Sequence, residues 1–171
     1  MIMTDSEQNA KGGRATDGKE RIFLVVVDAT EEHHKALRFA SLRARNTGGR
    51  VALLYVIEPA EFQHWMAVED LMREERRQEA EALLQNISSE VQELSGQTPV
   101  FFLREGKLGE ELMQLIAEDK GVSILVLAAG TDKKGPGPLV SQLAGKQAGT
   151  FPIPITIVPG NLSDAEIDAL V

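Results

Sequence analysis

The 171-residue chain contains no cysteine. Disulfide frameworks, thiol nucleophiles and cysteine-built zinc or iron–sulfur centres are therefore excluded. Histidine occurs only three times, at His33, His34 and His64. Two adjacent histidines on a helix point about 100° apart and do not make a two-ligand face, so no metal site is expected. Apolar runs are short, and none approaches the roughly 20 residues needed to span a bilayer. After Met1-Ile2-Met3 the chain turns polar at once, without the apolar segment of a signal peptide. No membrane association and a cytoplasmic location are expected. Basic residues are outnumbered, with Lys+Arg 18 against Asp+Glu 26 and a net charge of −8. That balance removes the broad basic face on which nucleic-acid binding depends.

Hydrophobic residues make up 43% of the chain, enough for a core and too many for a disordered protein. They are arranged in alternating short and long blocks. Residues 1–20 are polar, Gly-containing and aperiodic, and read as a flexible N-terminal tail. Arg21–Val27 (RIFLVVV) is a continuous apolar run rich in β-branched residues, the pattern of a strand buried on both faces. It stops at Asp28-Ala29-Thr30, where Thr30 is the expected helix N-cap and Glu31-Glu32 suit the positive end of a helix. Ala36, Leu37, Ala40 and Ala44 follow at helical spacing, and Gly48-Gly49 end that helix.

Val51–Ile57 is a second buried strand. A long helical stretch follows, ending near Leu94-Ser95-Gly96. Its second half carries an apolar stripe, Ala80, Leu83, Leu84, Ile87, Val91 and Leu94. Its middle, Arg73–Glu79, has no apolar residue and belongs in solvent, with Glu69 and Arg73 spaced to pair. His64, Trp65 and Met66 lie near its start, where Trp65 and Met66 are expected to cover a sheet edge or a partner subunit. Pro99–Leu103, Val122–Ala128 and Pro154–Val158 read as further strands. Helices are expected over 106–120, over 139–148 and, from a Ser163/Glu166 capping box, over 163–170. The sum is an α/β protein, a five-stranded parallel sheet with helices on both faces. Ligands in such sheets bind beyond the carboxyl ends of the strands, where the strand order reverses. Asp28 and Ala129-Gly130 are the carboxyl ends that would flank that point.

The stretch 21–160 resembles the universal stress protein family, segment by segment and in order. Val26-Val27-Asp28-Ala29-Thr30 resembles its V-D-G-S turn, and Gly106 with Glu110-Glu111-Leu112 its approach to the third helix. Ile124–Gly130 (ILVLAAG) resembles its fourth strand. The resemblance implies strand order 3-2-1-4-5 in a Rossmann-like, adenine nucleotide alpha hydrolase-like fold. It divides the chain into a tail at 1–20, the family domain at 21–160 and a short helical tail at 161–171. It also implies a non-catalytic stress-response or regulatory protein.

ATP-binding members of that family carry G-x2-G-x9-G-[ST] after the fourth strand. Here Gly130 fits the first glycine, but Lys133 occupies the second, and Leu143-Ala144 fall at the end of the motif. Counting back from Pro154 instead places Ser141-Gln142 there. Pro136 and Pro138 remove two amide donors from the loop. The sequence is thus similar to the UspA-like branch, which lacks the complete ATP motif, and no cofactor is expected. Should ATP or AMP binding be retained, the resemblance implies contacts at Val27, Asp28, Val56, Ala129, Gly130, Ser141 and Gln142. Lys133, Lys134 and Lys146 against Asp132 give the loop region a local positive excess. Asp28 has two readings, a ligand for ribose or adenine and a cap for the following helix.

Catalytic readings find no support. There is no G-x-S-x-G elbow, and the acidic residues of the long helix are interleaved with arginine. The last strand is apolar and belongs at a sheet edge, which needs cover or a partner. The resemblance implies a homodimer formed through Pro154, Ile155, Ile157 and Val158. Alternatively, the terminal helix folds over that edge.

Overall fold

The structure, a computed structural model, describes residues 20–28, 30–59 and 66–171. The expected N-terminal tail, apart from Glu20, lies outside the described residues, as do His64, Trp65 and the side chain of Met66. The strands are β1 (Ile22–Val26), β2 (Arg50–Ile57), β3 (Val100–Glu105), β4 (Val122–Ala129) and β5 (Ile155–Pro159). The helices are α1 (His33–Thr47), α2 (Met66–Ser95), α3 (Leu108–Glu118), α4 (Pro138–Ala144) and α5 (Asp164–Leu170). All pairings are parallel and the sheet order is β3-β2-β1-β4-β5, as the sequence leads one to expect.

The central strand is sandwiched. Leu24 and Val25 are adjacent, point to opposite faces, and are both fully buried. On one face Phe23, Val25, Leu53 and Val126 pack against Leu37 and Ala40 of α1 and Leu84, Ile87 and Val91 of α2. On the other, Leu24, Val26, Leu54 and Leu125 pack against Leu112, Leu115 and Ile116 of α3 and Val140 and Leu143 of α4. Helices α1, α2 and α3 contribute the apolar stripes their spacing announces.

Two helix boundaries differ from expectation. Helix α1 begins at His33 rather than beside Thr30; it ends at Gly48, whose φ of +70° suits glycine. Helix α4 ends at Ala144 and does not reach residue 148. A Cβ on Gly145 would lie 2.8 Å from the Ser141 carbonyl oxygen, and the chain turns there.

The first half of α2, Val68 to Glu79, is exposed except for the half-buried Arg76. The second half buries Ala80, Leu84, Ile87 and Val91. At the other terminus the capping box forms as written: the Glu166 amide donates to Ser163 Oγ at 3.1 Å, and the Ser163 amide to Glu166 Oε2 at 2.7 Å. Helix α5 docks on α1, with Ile167 fully buried in the α1/α2 core. Its ion pairs run to Lys35 and Arg38 of α1, so the alternative in which it covers the β5 edge is set aside. Ile157 of β5 remains exposed.

Candidate functional site

Strand register assembles the site. Val26 stands opposite Leu54, and Val25 opposite Val126. Continued past the end of β1, these registers bring Asp28 level with Val56 and Ala129. The row lies at the carboxyl ends of β1, β2 and β4, where β1 and β4 flank the reversal of strand order. Side-chain alternation turns it toward α3 and α4, the face served by Val26, Leu54 and Leu127 two residues earlier. Val56 packs there as well. Val27 does not join the row. Its side chain is buried in the opposite core, and its amide continues the ladder to the Leu54 carbonyl at 2.8 Å.

Asp28 is exposed. Its Oδ1 accepts two hydrogen bonds, from the Thr30 amide at 2.9 Å and from Thr30 Oγ1 at 2.5 Å. This is an Asx-type turn. It corrects the expectation that Thr30 caps α1: the threonine hydroxyl is directed back to Asp28. The N-cap position falls to Glu32, which makes no side-chain capping bond. Nor does Asp28 cap the helix; the turn stands between them.

The loop after β4 closes upon itself. The Gly130 amide donates to the Pro136 carbonyl at 3.1 Å, and the Gly135 amide to the Asp132 carbonyl at 3.2 Å. The Lys134 amide donates to Asp132 Oδ1 at 2.8 Å. Gly135 and Gly137 hold φ values of +96° and +101°, which let the chain double back. A Cβ on Gly130 would lie 3.2 Å from the Gly135 carbonyl oxygen, so that carbonyl occupies the open side of the glycine. Ser141 and Gln142 follow on α4, both exposed. Gln142 Nε2 lies 3.9 Å from the Cβ position of Gly109, at the start of α3. The structure thus gathers Asp28, Val56, Ala129 and Gly130, and carries Ser141 and Gln142 on a helix of the same sheet face.

One residue at this place escaped the sequence reading. The side chain of Glu32 crosses the ends of β4 and β5. Its Cγ lies 3.0 Å from the Cβ position of Gly160, and its Oε1 lies 3.8 Å from that of Gly130. The only signal in the sequence was a glycine placed directly after a strand-closing proline, Pro159-Gly160.

Other polar clusters are structural ties. His34 Nδ1 lies 3.0 Å from Glu90 Oε2, linking α1 to α2, and His33 Nδ1 donates to the Thr30 carbonyl at 2.5 Å. No group of three or more His, Asp or Glu able to hold a metal occurs among the described residues. Arg73 pairs with Glu105 of β3, and not with Glu69 as its spacing suggested, because α2 runs over the end of the sheet there. The hydrogen bond from Arg73 is the main cause that holds the Glu105 carboxyl below the usual range. Arg73, Arg76 and Glu105 line a cleft of about 330 Å³ with Ile57 and Pro59. An apolar groove of about 560 Å³ runs beside edge strand β5, lined by residues such as Leu143, Phe151, Ile153, Ile155 and Ile157.

A family model described as the Universal stress protein family matches residues 20–159. The chain belongs to that family. As a universal stress protein it shares the fold of several solved relatives. Universal stress protein UspA from Lactobacillus plantarum superposes with a TM-score of 0.67 at 15% identity, covering 83% of this chain and 99% of that one. A universal stress protein solved in complex with cAMP gives a TM-score of 0.57 at 15% identity, covering 82% and 98%. The universal stress protein from Archaeoglobus fulgidus in complex with dAMP gives 0.55 at 17% identity, covering 81% and 97%. A comparison with curated proteins finds no match. No helix among the described residues is long and apolar enough to cross a membrane.

Proposed function

We propose that this universal stress protein is a non-catalytic, cytoplasmic stress-response module of the branch without the full ATP motif, acting as a homodimer. One observation carries the reading. The Gly130 amide, which a glycine-rich phosphate loop would offer to an anion, is bonded to the Pro136 carbonyl. With Lys133 in place of a motif glycine, the loop supports itself and not a polyphosphate. Calorimetric titration of the full chain with ATP tests this. No saturable heat is expected up to millimolar ATP; micromolar binding that disappears in Asp28→Ala overturns it.

A second observation favours an adenine-nucleotide sensor of the AMP type. Asp28 is exposed at the reversal point and both its bonds fall on Oδ1, which leaves Oδ2 for a ribose or an adenine edge. Relatives solved with cAMP and dAMP support this at the level of fold. Saturable AMP binding without ATP binding, lost in Asp28→Ala, would establish it.

The dimer reading rests on β5. Edge strands expose unpaired main-chain groups, and an apolar edge favours pairing. Ile157 is exposed, and Pro154, Ile155 and Ile157 line the apolar groove. Val158 turns into the core and would contribute main chain alone.

A further inference from the structure

We infer that Glu32 disfavours phosphate groups at the site beside Asp28, in addition to the closed loop, as a specificity determinant supplied by the start of α1. The inference deepens the reading above and rests on it in one respect, that this site is where an adenine ligand would sit.

Three features of Glu32 support this. First, its position: its Oε1 is one of the three nearest atoms to the Cβ position of Gly130, and the only charged one. The other two belong to Gly135 and Pro136 of the closed loop. A group on the Cβ side of Gly130 therefore meets a carbonyl oxygen and a carboxylate oxygen, both acceptors. Phosphate oxygens are acceptors too and carry negative charge, so both of these oxygens repel them. Ribose hydroxyls and the adenine amino group are donors and are not repelled.

Second, the carboxylate is not engaged elsewhere. Glu32 occupies the N-cap position of α1 without a side-chain capping bond. Among the described residues its carboxylate forms no hydrogen bond or ion pair. Its charge thus faces the crevice with no side-chain partner, offset only by the positive end of α1. Lys133 and Lys134 sit on the outer turn of the loop and are exposed, where solvent and salt screen them.

Third, the backbone leaves it a path. The Cγ lies 3.0 Å from where a Cβ on Gly160 would stand. The Gly160 amide is bonded to the Ala129 carbonyl at 2.9 Å. A side chain at 160 would displace Glu32; glycine leaves the channel through which it crosses from α1 to Gly130.

The test compares the full-length protein with Glu32→Gln and Glu32→Ala, titrated by calorimetry with ATP, AMP and adenosine. Glu32→Gln keeps the shape and removes the charge. The expected result is a Kd for ATP and AMP at least tenfold lower in both variants, with adenosine changed by less than twofold. Equal ATP affinities in wild type and variants, including no binding in any of them, overturn the inference. So does an equal gain for adenosine, which marks Glu32 as a steric plug. If wild type binds ATP at micromolar concentration, the proposed function fails, while the ratio between variant and wild type still decides the role of Glu32. Glu32→Ala serves as the second variant should Glu32→Gln fold poorly.

Discussion

Arg38 on α1 holds Asp168 on α5 through two parallel hydrogen bonds, Nε to Oδ1 and Nη2 to Oδ2, each 2.7 Å long. A bidentate fork of this kind fixes orientation as well as distance. Lys35 adds a bond to Asp164 at 3.1 Å. Beneath this polar rim, Ile167 is fully buried. The C-terminal helix is therefore fastened by one apolar anchor and a row of ion pairs, all directed at α1.

Truncating the anchor tests how much of the fold depends on it. Ile167→Ala removes a fully buried side chain from the α1/α2 core and is expected to destabilise the protein by about 2–5 kcal/mol. Leu170→Ala, on the same helix but 63% exposed, should change stability by no more than about 0.5 kcal/mol. Urea unfolding of both variants checks the contrast.

The polar rim should respond to acid. The Asp168 carboxyl is held below the usual aspartate range, chiefly by its hydrogen bond from Arg38. Glu166 is likewise lowered, first by the Ser163 amide and then by the Ser163 hydroxyl. A carboxylate whose pKa is depressed by folding contributes stability above its unfolded value, about 4, and that contribution is lost as pH falls through the folded value. Urea midpoints measured from pH 7 to pH 3 should therefore drop on the acid side. Asp168→Asn should start lower at pH 7 and show a shallower drop. Hydrogen exchange should place the early loss in α5.

Among the described glycines, Gly160 is the one with least room. A Cβ there would meet the Ala129 carbonyl oxygen as well as Glu32 Cγ. Gly160→Ala should destabilise by about 1–3 kcal/mol. Gly149→Ala, with nothing within 4 Å of its Cβ position, is the matched control and should not. Thermal melts of the two variants suffice.

The edge strand supplies a test of assembly. Light scattering at micromolar concentration should report twice the 18.7 kDa mass of one chain. Ile157→Glu places a charge at the exposed edge position and should yield a folded monomer. A wild-type monomer would end the dimer proposal.

The strands were legible because a sheet covered on both faces needs uninterrupted apolar runs, and Phe23–Val27 and Val51–Leu54 can serve no other purpose in so acidic a chain. The α2 stripe was equally plain from Ala80 onward. Pairings that join distant segments were not. Arg73 had a partner four residues away by spacing, yet it pairs with Glu105, because spacing says nothing of where a helix lies over a sheet. Thr30 had the chemistry of a cap, but Asp28 two residues earlier offered its hydroxyl a nearer acceptor. Glu32 had the chemistry of a helix-start charge. Its actual neighbours, Gly130 and Gly160, come from strands more than ninety residues away, and local pattern cannot reach them.

Helix α2 spans 30 residues, a length of about 45 Å. Among its described side chains, apolar ones are buried in the core only from Ala80 onward. A helical segment of about 12–15 residues without a packed face is marginal in water, so the two halves should melt as separate units. The first half, tied by Arg73 to Glu105 and by Arg76 to the Glu58 carbonyl, should open at lower free energy than the second. The expected cooperativity boundary lies at Ala80. A protease should nick this chain within Arg73–Arg77 and leave behind a folded body that still carries Asp28, Gly130 and Glu32.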